Sequence, residues 1–147
     1  MPAIDVSAEV EIAAAPADVA AVMFDPAREP EWMTAIKTVD AIDPALKPGA
    51  RVRRTGSFLG REFAWTTEVT AVHFPHKLTL QIAEGPFTGA IDYSIARTAT
   101  GSLARIRNVG EFGALGPLPA SLITGPMRSA MAADLARLKA IVERPPA

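Results

Sequence analysis

Apolar and polar residues alternate along 3–13 (AIDVSAEVEIA). Ile4, Val6, Ala8, Val10 and Ile12 fall on one side, with Asp5, Ser7, Glu9 and Glu11 on the other. A period of two predicts a strand with one wet face. Pro16 suits a first helical position, where its missing N–H costs nothing, and Asp18 suits the first turn. Val19, Val22 and Met23 complete a short helix over 16–24. Asp25-Pro26 repeats the start signal, with Asp25 as N-cap, and predicts a second short helix over 26–33.

Strand-like runs follow at 36–43, 50–59, 61–73, 77–84, 87–98 and 102–112. Turn signals at Lys47-Pro48-Gly49, Leu59-Gly60, Phe74-Pro75-His76, Gly85-Pro86 and Thr100-Gly101 separate most of them. Tight turns between consecutive strands predict antiparallel neighbours, since parallel pairing needs a long crossover. From Leu118 onward the period changes: Leu122, Ile123, Met127, Met131, Leu135, Leu138 and Ile141 recur at helical spacing. Gly125-Pro126 should kink this helix or mark where its regular part begins. The order β, two short α, six β, long α predicts one α+β domain spanning residues 1–147. Seven antiparallel strands bury both sets of apolar faces only by curving around the long helix.

Alternation also sorts the interior. Phe63, Trp65, Thr67 and Val69 share a face, as do Leu78, Leu80 and Ile82, and Phe87, Gly89, Ile91, Tyr93 and Ile95. In the last strand, Ala104, Ile106, Asn108, Gly110 and Phe112 face in, leaving Arg105, Arg107 and Glu111 in water. For 50–59, Val52, Gly56 and Phe58 face in and carry Arg54 with them. A buried Arg54 must either reach solvent or meet an anion. Gly56, Gly89, Ala104 and Gly110 are small inward positions. They either let the sheet bend or leave room for a guest beside Trp65, Tyr93, Met127 and Met131.

Composition narrows the possible chemistry. The 147 residues carry a formal net charge of −1, without the basic stripe that nucleic-acid binding needs. With no cysteine there is no disulfide, thiolate nucleophile or cysteine zinc site. No apolar run approaches the roughly 20 residues of a membrane span. The first basic residue is Arg28, so the start lacks the charged region of a signal peptide, and a cytoplasmic domain is expected. His73 and His76 flank a turn with no third ligand in view, and are read as surface residues rather than a metal site or general base. GEFGALG at 110–116 matches no phosphate-binding fingerprint and reads as the bend into the last helix. No carboxylate pair falls on an inward face, and Asp92, Arg105 and Arg107 are expected to form cross-strand pairs.

Three stretches carry a family resemblance. IAAAPADVAAVMFDPAREPEWM, PGARVRRTGSFLGREFAWTTEVTAVHFPHKLTLQ and DLARLKAIVE resemble segments of the SRPBCC superfamily, also called START-like or Bet v 1-like, and its polyketide cyclase/dehydrase-like branch. The resemblance covers essentially the whole chain. It implies a helix-grip fold: a seven-stranded curved antiparallel sheet around a long C-terminal helix, with two short helices between strands 1 and 2. It also implies a cavity for lipids, polyketides or other apolar molecules.

The expected cavity lining is Trp32, Arg54, Phe58, Trp65, Val69, Leu80, Tyr93, Asn108, Ile123, Met127 and Met131. The expected partner is a small apolar molecule, with no cofactor, metal, nucleic acid or integral membrane association, in a monomer or homodimer. Three functions fit: a carrier or sensor without covalent chemistry; a cyclase or dehydratase; and a chaperone-modulating module acting through the outer sheet face. For the enzyme, Tyr93 is the candidate proton donor, with Arg54 and Asn108 stabilising an oxyanion.

Overall fold

A computed structural model of the protein describes residues 3–43, 45–111 and 119–144. The expected inward placement of Phe112, and the bend 112–116, lie outside those residues. Strand β1 (Ala3–Ile12) leads into α1 (Pro16–Met23), a 3₁₀ turn (Pro26–Arg28) and α2 (Glu29–Trp32). Strands β2 (Ile36–Ala41), β3 (Arg51–Phe58), β4 (Arg61–His73), β5 (Lys77–Glu84), β6 (Thr88–Thr98) and β7 (Gly101–Glu111) precede α3 (Ala120–Val142). All seven strands form one antiparallel sheet in the order β1-β7-β6-β5-β4-β3-β2. This is the helix-grip architecture.

Local chemistry starts each element. Pro16 opens α1 as expected, and the Asp25 side chain accepts from the Ala27 N–H at 3.0 Å. That bond satisfies one of the donors a helix start leaves unpaired. The β1 alternation buries Ile4, Val6 and Ile12, while Ala8 and Val10 pack partly against the core. Pro126 lies inside α3, and the helix continues through it. Ile123, Met127, Met131, Leu135 and Leu138 bury one stripe of that helix. Each such side chain contributes about 1.5–3 kcal/mol of transfer free energy.

The backbone of α3 runs close to β1, α1 and α2 and stands off from β3–β6. Its C-terminal end is fastened to β1. Glu143 Oε2 accepts from the Ala13 N–H at 2.7 Å, and Lys139 Nζ donates to the Glu11 carbonyl at 3.0 Å. Nearer its middle, Arg137 Nε donates to the Trp32 carbonyl at 3.0 Å, tying α3 to α2.

The outer face is polar, with one change of partner. Arg107 forms two hydrogen bonds with Asp5 across β1–β7, at 2.9 and 2.7 Å. Although Asp92 stands opposite Arg107 in the ladder, its carboxylate accepts from Thr79 at 2.7 Å instead.

The small inward positions are explained by close backbone approach rather than by open space. A Cβ on Gly56 would strike the Ala35 carbonyl oxygen, one on Gly89 the Val109 oxygen, and one on Gly110 the Thr88 oxygen. Gly89 also has φ +138°, a region open essentially to glycine.

Candidate functional site

Among the described residues, three partly open cavities lie between the sheet and the helices. One, of about 200 Å³, sits beside α1 and the 41–50 connection, against Ala50, Val52, Val69 and Leu78. A second, of about 190 Å³, lies beneath α3 against Met33, Phe63, Trp65, Phe87 and Met127. A third, of about 150 Å³, adjoins the second and shares Met33, Ile36, Trp65, Ile91, Met131 and Asp134 with it. The first and third meet at a common wall of Glu29, Arg54, Leu80 and Tyr93. The interior is therefore two compartments divided by an ion pair.

That pair resolves the fate of Arg54. The strand alternation carries it inward as expected, where it is 4% exposed. Glu29, 3% exposed, comes in from α2. Arg54 Nε and Nη2 donate to the two Glu29 oxygens at 2.6 and 2.7 Å, and Nη1 donates to Thr67 Oγ1 at 2.5 Å. Burial works against the cation, but the Glu29 hydrogen bond and charge outweigh it, and Arg54 stays protonated.

Among the other expected lining residues, Phe58 and Met127 border the cavity beneath α3. Trp65, Asn108 and Met131 border both that cavity and its neighbour. Val69 borders only the compartment beside α1, whereas Leu80 and Tyr93 border both sides of the wall. Trp32 and Ile123 border none of the three. Both are fully buried in packed core, with Trp32 edge-on to Tyr93 at 6.4 Å between ring centroids. The Trp32 indole N–H has no hydrogen-bond partner among the described residues.

Tyr93 also stacks on Phe24, with centroids 6.3 Å apart. Burial first, and then the Glu29 charge, push its hydroxyl well above the ordinary tyrosine range. It is a very weak acid where it stands. Arg54, expected to stabilise an oxyanion, spends three of its five N–H groups on Glu29 and Thr67.

Two carboxylates border one cavity, where the sequence leads to no inward carboxylate pair. Glu29 is one, and Asp134 on α3 is the other, 9% exposed and bordering both cavities beneath the helix. Asp134 Oδ1 accepts from the Thr34 N–H at 3.4 Å and from Arg137 Nη2. Burial pushes its carboxyl above the ordinary range, against the pull of Thr34 and Arg137. Asp134 lies three residues after Met131 and four before Leu138, so the helical stripe itself was the signal that could have found it.

His73 and His76 are both exposed, as expected, and His76 Nδ1 donates to the Ile95 carbonyl at 2.9 Å, pinning the β4–β5 turn onto β6. Among the described residues no three His, Cys, Asp or Glu are placed to hold a metal ion. No helix among them is long and apolar enough to cross a membrane.

The sequence matches the family described as "Polyketide cyclase / dehydrase and lipid transport" over residues 3–143. No curated protein matches the chain by sequence. Solved structures with the same fold include a START superfamily protein from Mycobacterium smegmatis, with TM-score 0.80, 18% identity, and 95% of this chain and 97% of that one covered. The protein TTHA0849 from Thermus thermophilus gives TM-score 0.78 at 18% identity, covering 95% of this chain and 97% of its own. Ara h 8.0201 gives 0.69 at 14% identity, again covering 95% of this chain and 97% of its own.

Proposed function

Because the chain belongs to the polyketide cyclase/dehydrase and lipid transport family, a ligand-binding fold, we propose that it holds a small apolar molecule in the cavities beneath α3, as a carrier or sensor. The observation that supports this reading most is the wall of the site. Trp65, Ile91, Met127 and Met131 line the larger of the two spaces, where Ser57, Asn108 and Asp134 are the polar residues, and the polar groups gather in its neighbour around Glu29 and Arg54. Apolar lining with a small number of placed polar groups is how ligand pockets are built.

The cyclase or dehydratase alternative needs a proton donor and an oxyanion partner in the same space. Burial raises the Tyr93 hydroxyl well above its ordinary range, and Arg54 is already ion-paired with Glu29 and bonded to Thr67. The chaperone-modulating alternative needs a contiguous apolar patch on the outer sheet face. The large exposed apolar residues Ile42, Leu59, Phe74, Val109 and Leu122 are instead scattered over turns, one strand and α3.

Native mass spectrometry of the purified protein tests the carrier reading. The expected result is a non-covalent adduct that is lost on denaturation, or uptake of an added apolar aromatic in its place. A protein that remains empty when offered such molecules would overturn the reading.

A further inference from the structure

We propose that the compartment beneath α3 selects a two- or three-ring aromatic guest bearing a neutral hydroxyl, donated to Asp134 Oδ2, and rejects carboxylates. This rests on the reading that the compartment holds a guest at all.

Size gives the ring count. An apolar cavity of about 150 Å³ accommodates a benzene ring, and the adjoining cavities here are of about 190 and 150 Å³. A compact fused-ring molecule fills both.

Hydrogen-bond inventory gives the polar group. Both bonds to Asp134 end on Oδ1, and Oδ2 accepts from no described residue. A carboxylate has about four acceptor sites, so Oδ2 is left to accept from whatever fills the space. Arg137 already sits on this carboxylate and matches its charge. What remains is lone pairs rather than net charge, and a neutral O–H fills them without bringing a second cation out of water.

Asn108, on the same wall, turns its Nδ2 towards Met131 Sδ at 3.4 Å. Among the described lining residues the one cation is Arg54, and its charge is already paired with Glu29, so a carboxylate guest would meet no net positive charge there. An anionic guest would also face Asp134.

Naphthalene, 2-naphthol and 2-naphthoate share one ring frame and differ only in the group at issue. Binding of each to the wild-type protein is read by quenching of tryptophan emission, since Trp65 lines the compartment. The expected order places 2-naphthol about tenfold or more tighter than naphthalene, the scale of one hydrogen bond to a charged group. 2-Naphthoate should be the weakest. In Asp134→Leu the ratio of naphthol to naphthalene affinity should fall to about one, with folding checked by thermal melting.

Naphthalene and 2-naphthol binding equally to the wild type would overturn the hydroxyl assignment while leaving the cavity reading intact. Tightest binding by 2-naphthoate would overturn it as well. Failure of all three to bind would overturn the cavity reading and the inference together.

Discussion

Arg137 donates to Asp134 Oδ1 from one turn further along α3, and the Thr34 N–H reaches the same oxygen at 3.4 Å. Burial nevertheless wins, and the carboxyl is held above its ordinary range. The folded state therefore keeps this proton at a pH where the unfolded chain has released it. By linkage, Asp134 makes stability fall as pH rises from about 4 towards the raised value. Urea midpoints of the wild type relative to Asp134→Asn should decline over the range just above pH 4. A relative midpoint that climbs instead would mean that the Arg137 pair dominates.

Removing Glu29 would strand the Arg54 cation in the core. Glu29→Ala should cost about 3–5 kcal/mol, the usual penalty for breaking a buried pair from one side. The double variant Glu29→Leu/Arg54→Met should recover much of that loss, because replacing both charges removes the desolvation penalty altogether. Urea unfolding of the wild type and both variants gives the comparison. Equal losses in the single and double variants would show that the pair is not a coupled unit.

Tyr93→Phe separates carrier from catalyst. For a carrier, the affinity for naphthalene should stay within about threefold and stability should fall by about 1 kcal/mol at most. Loss of a measurable turnover in this variant, on any polyketide-like substrate the wild type converts, would favour the enzyme instead.

The glycines make different predictions according to what surrounds them. Gly110→Ala would drive a methyl into the Thr88 carbonyl and the facing Gly89, its partner in the ladder. A loss of about 1–3 kcal/mol is expected, as for other overpacked sites. Gly125 lies inside α3 with nothing near its missing side chain beyond its own chain neighbours, of which Pro126 is one. The proline ring crowds a Cβ on the residue before it, so Gly125→Ala should gain less than the about 0.5–1 kcal/mol of helix propensity and lose far less than Gly110→Ala. Thermal melts of both variants suffice.

The alternation of β1 and the periodicity of the last helix were enough to read the architecture, because burying one face forces a period of 2 or 3.6. The same rule took Arg54 inside correctly. Its partner was not readable. Glu29 sits in a four-residue helix too short to show a face, and which element meets β3 is decided only when the sheet curls. The inward glycines leave bend and open space as alternatives for a related reason, since the distance between neighbouring strands cannot be read along one of them. Trp32 and Ile123 read as lining because they are large, apolar and inward, yet whether an inward residue touches a void or a neighbour depends on packing from the far side. Asp134 is legible on its stripe, but the apolar residues around it mask it.

The wall shared by Glu29, Arg54, Leu80 and Tyr93 has one last consequence, which concerns the shape of the cargo. On the proposed carrier reading, a long acyl chain threaded from end to end would have to pry apart two opposite charges, whereas a short, broad molecule would never reach them. The bulkhead would then act as a ruler, admitting compact cargo and stopping whatever is too long to turn back before it.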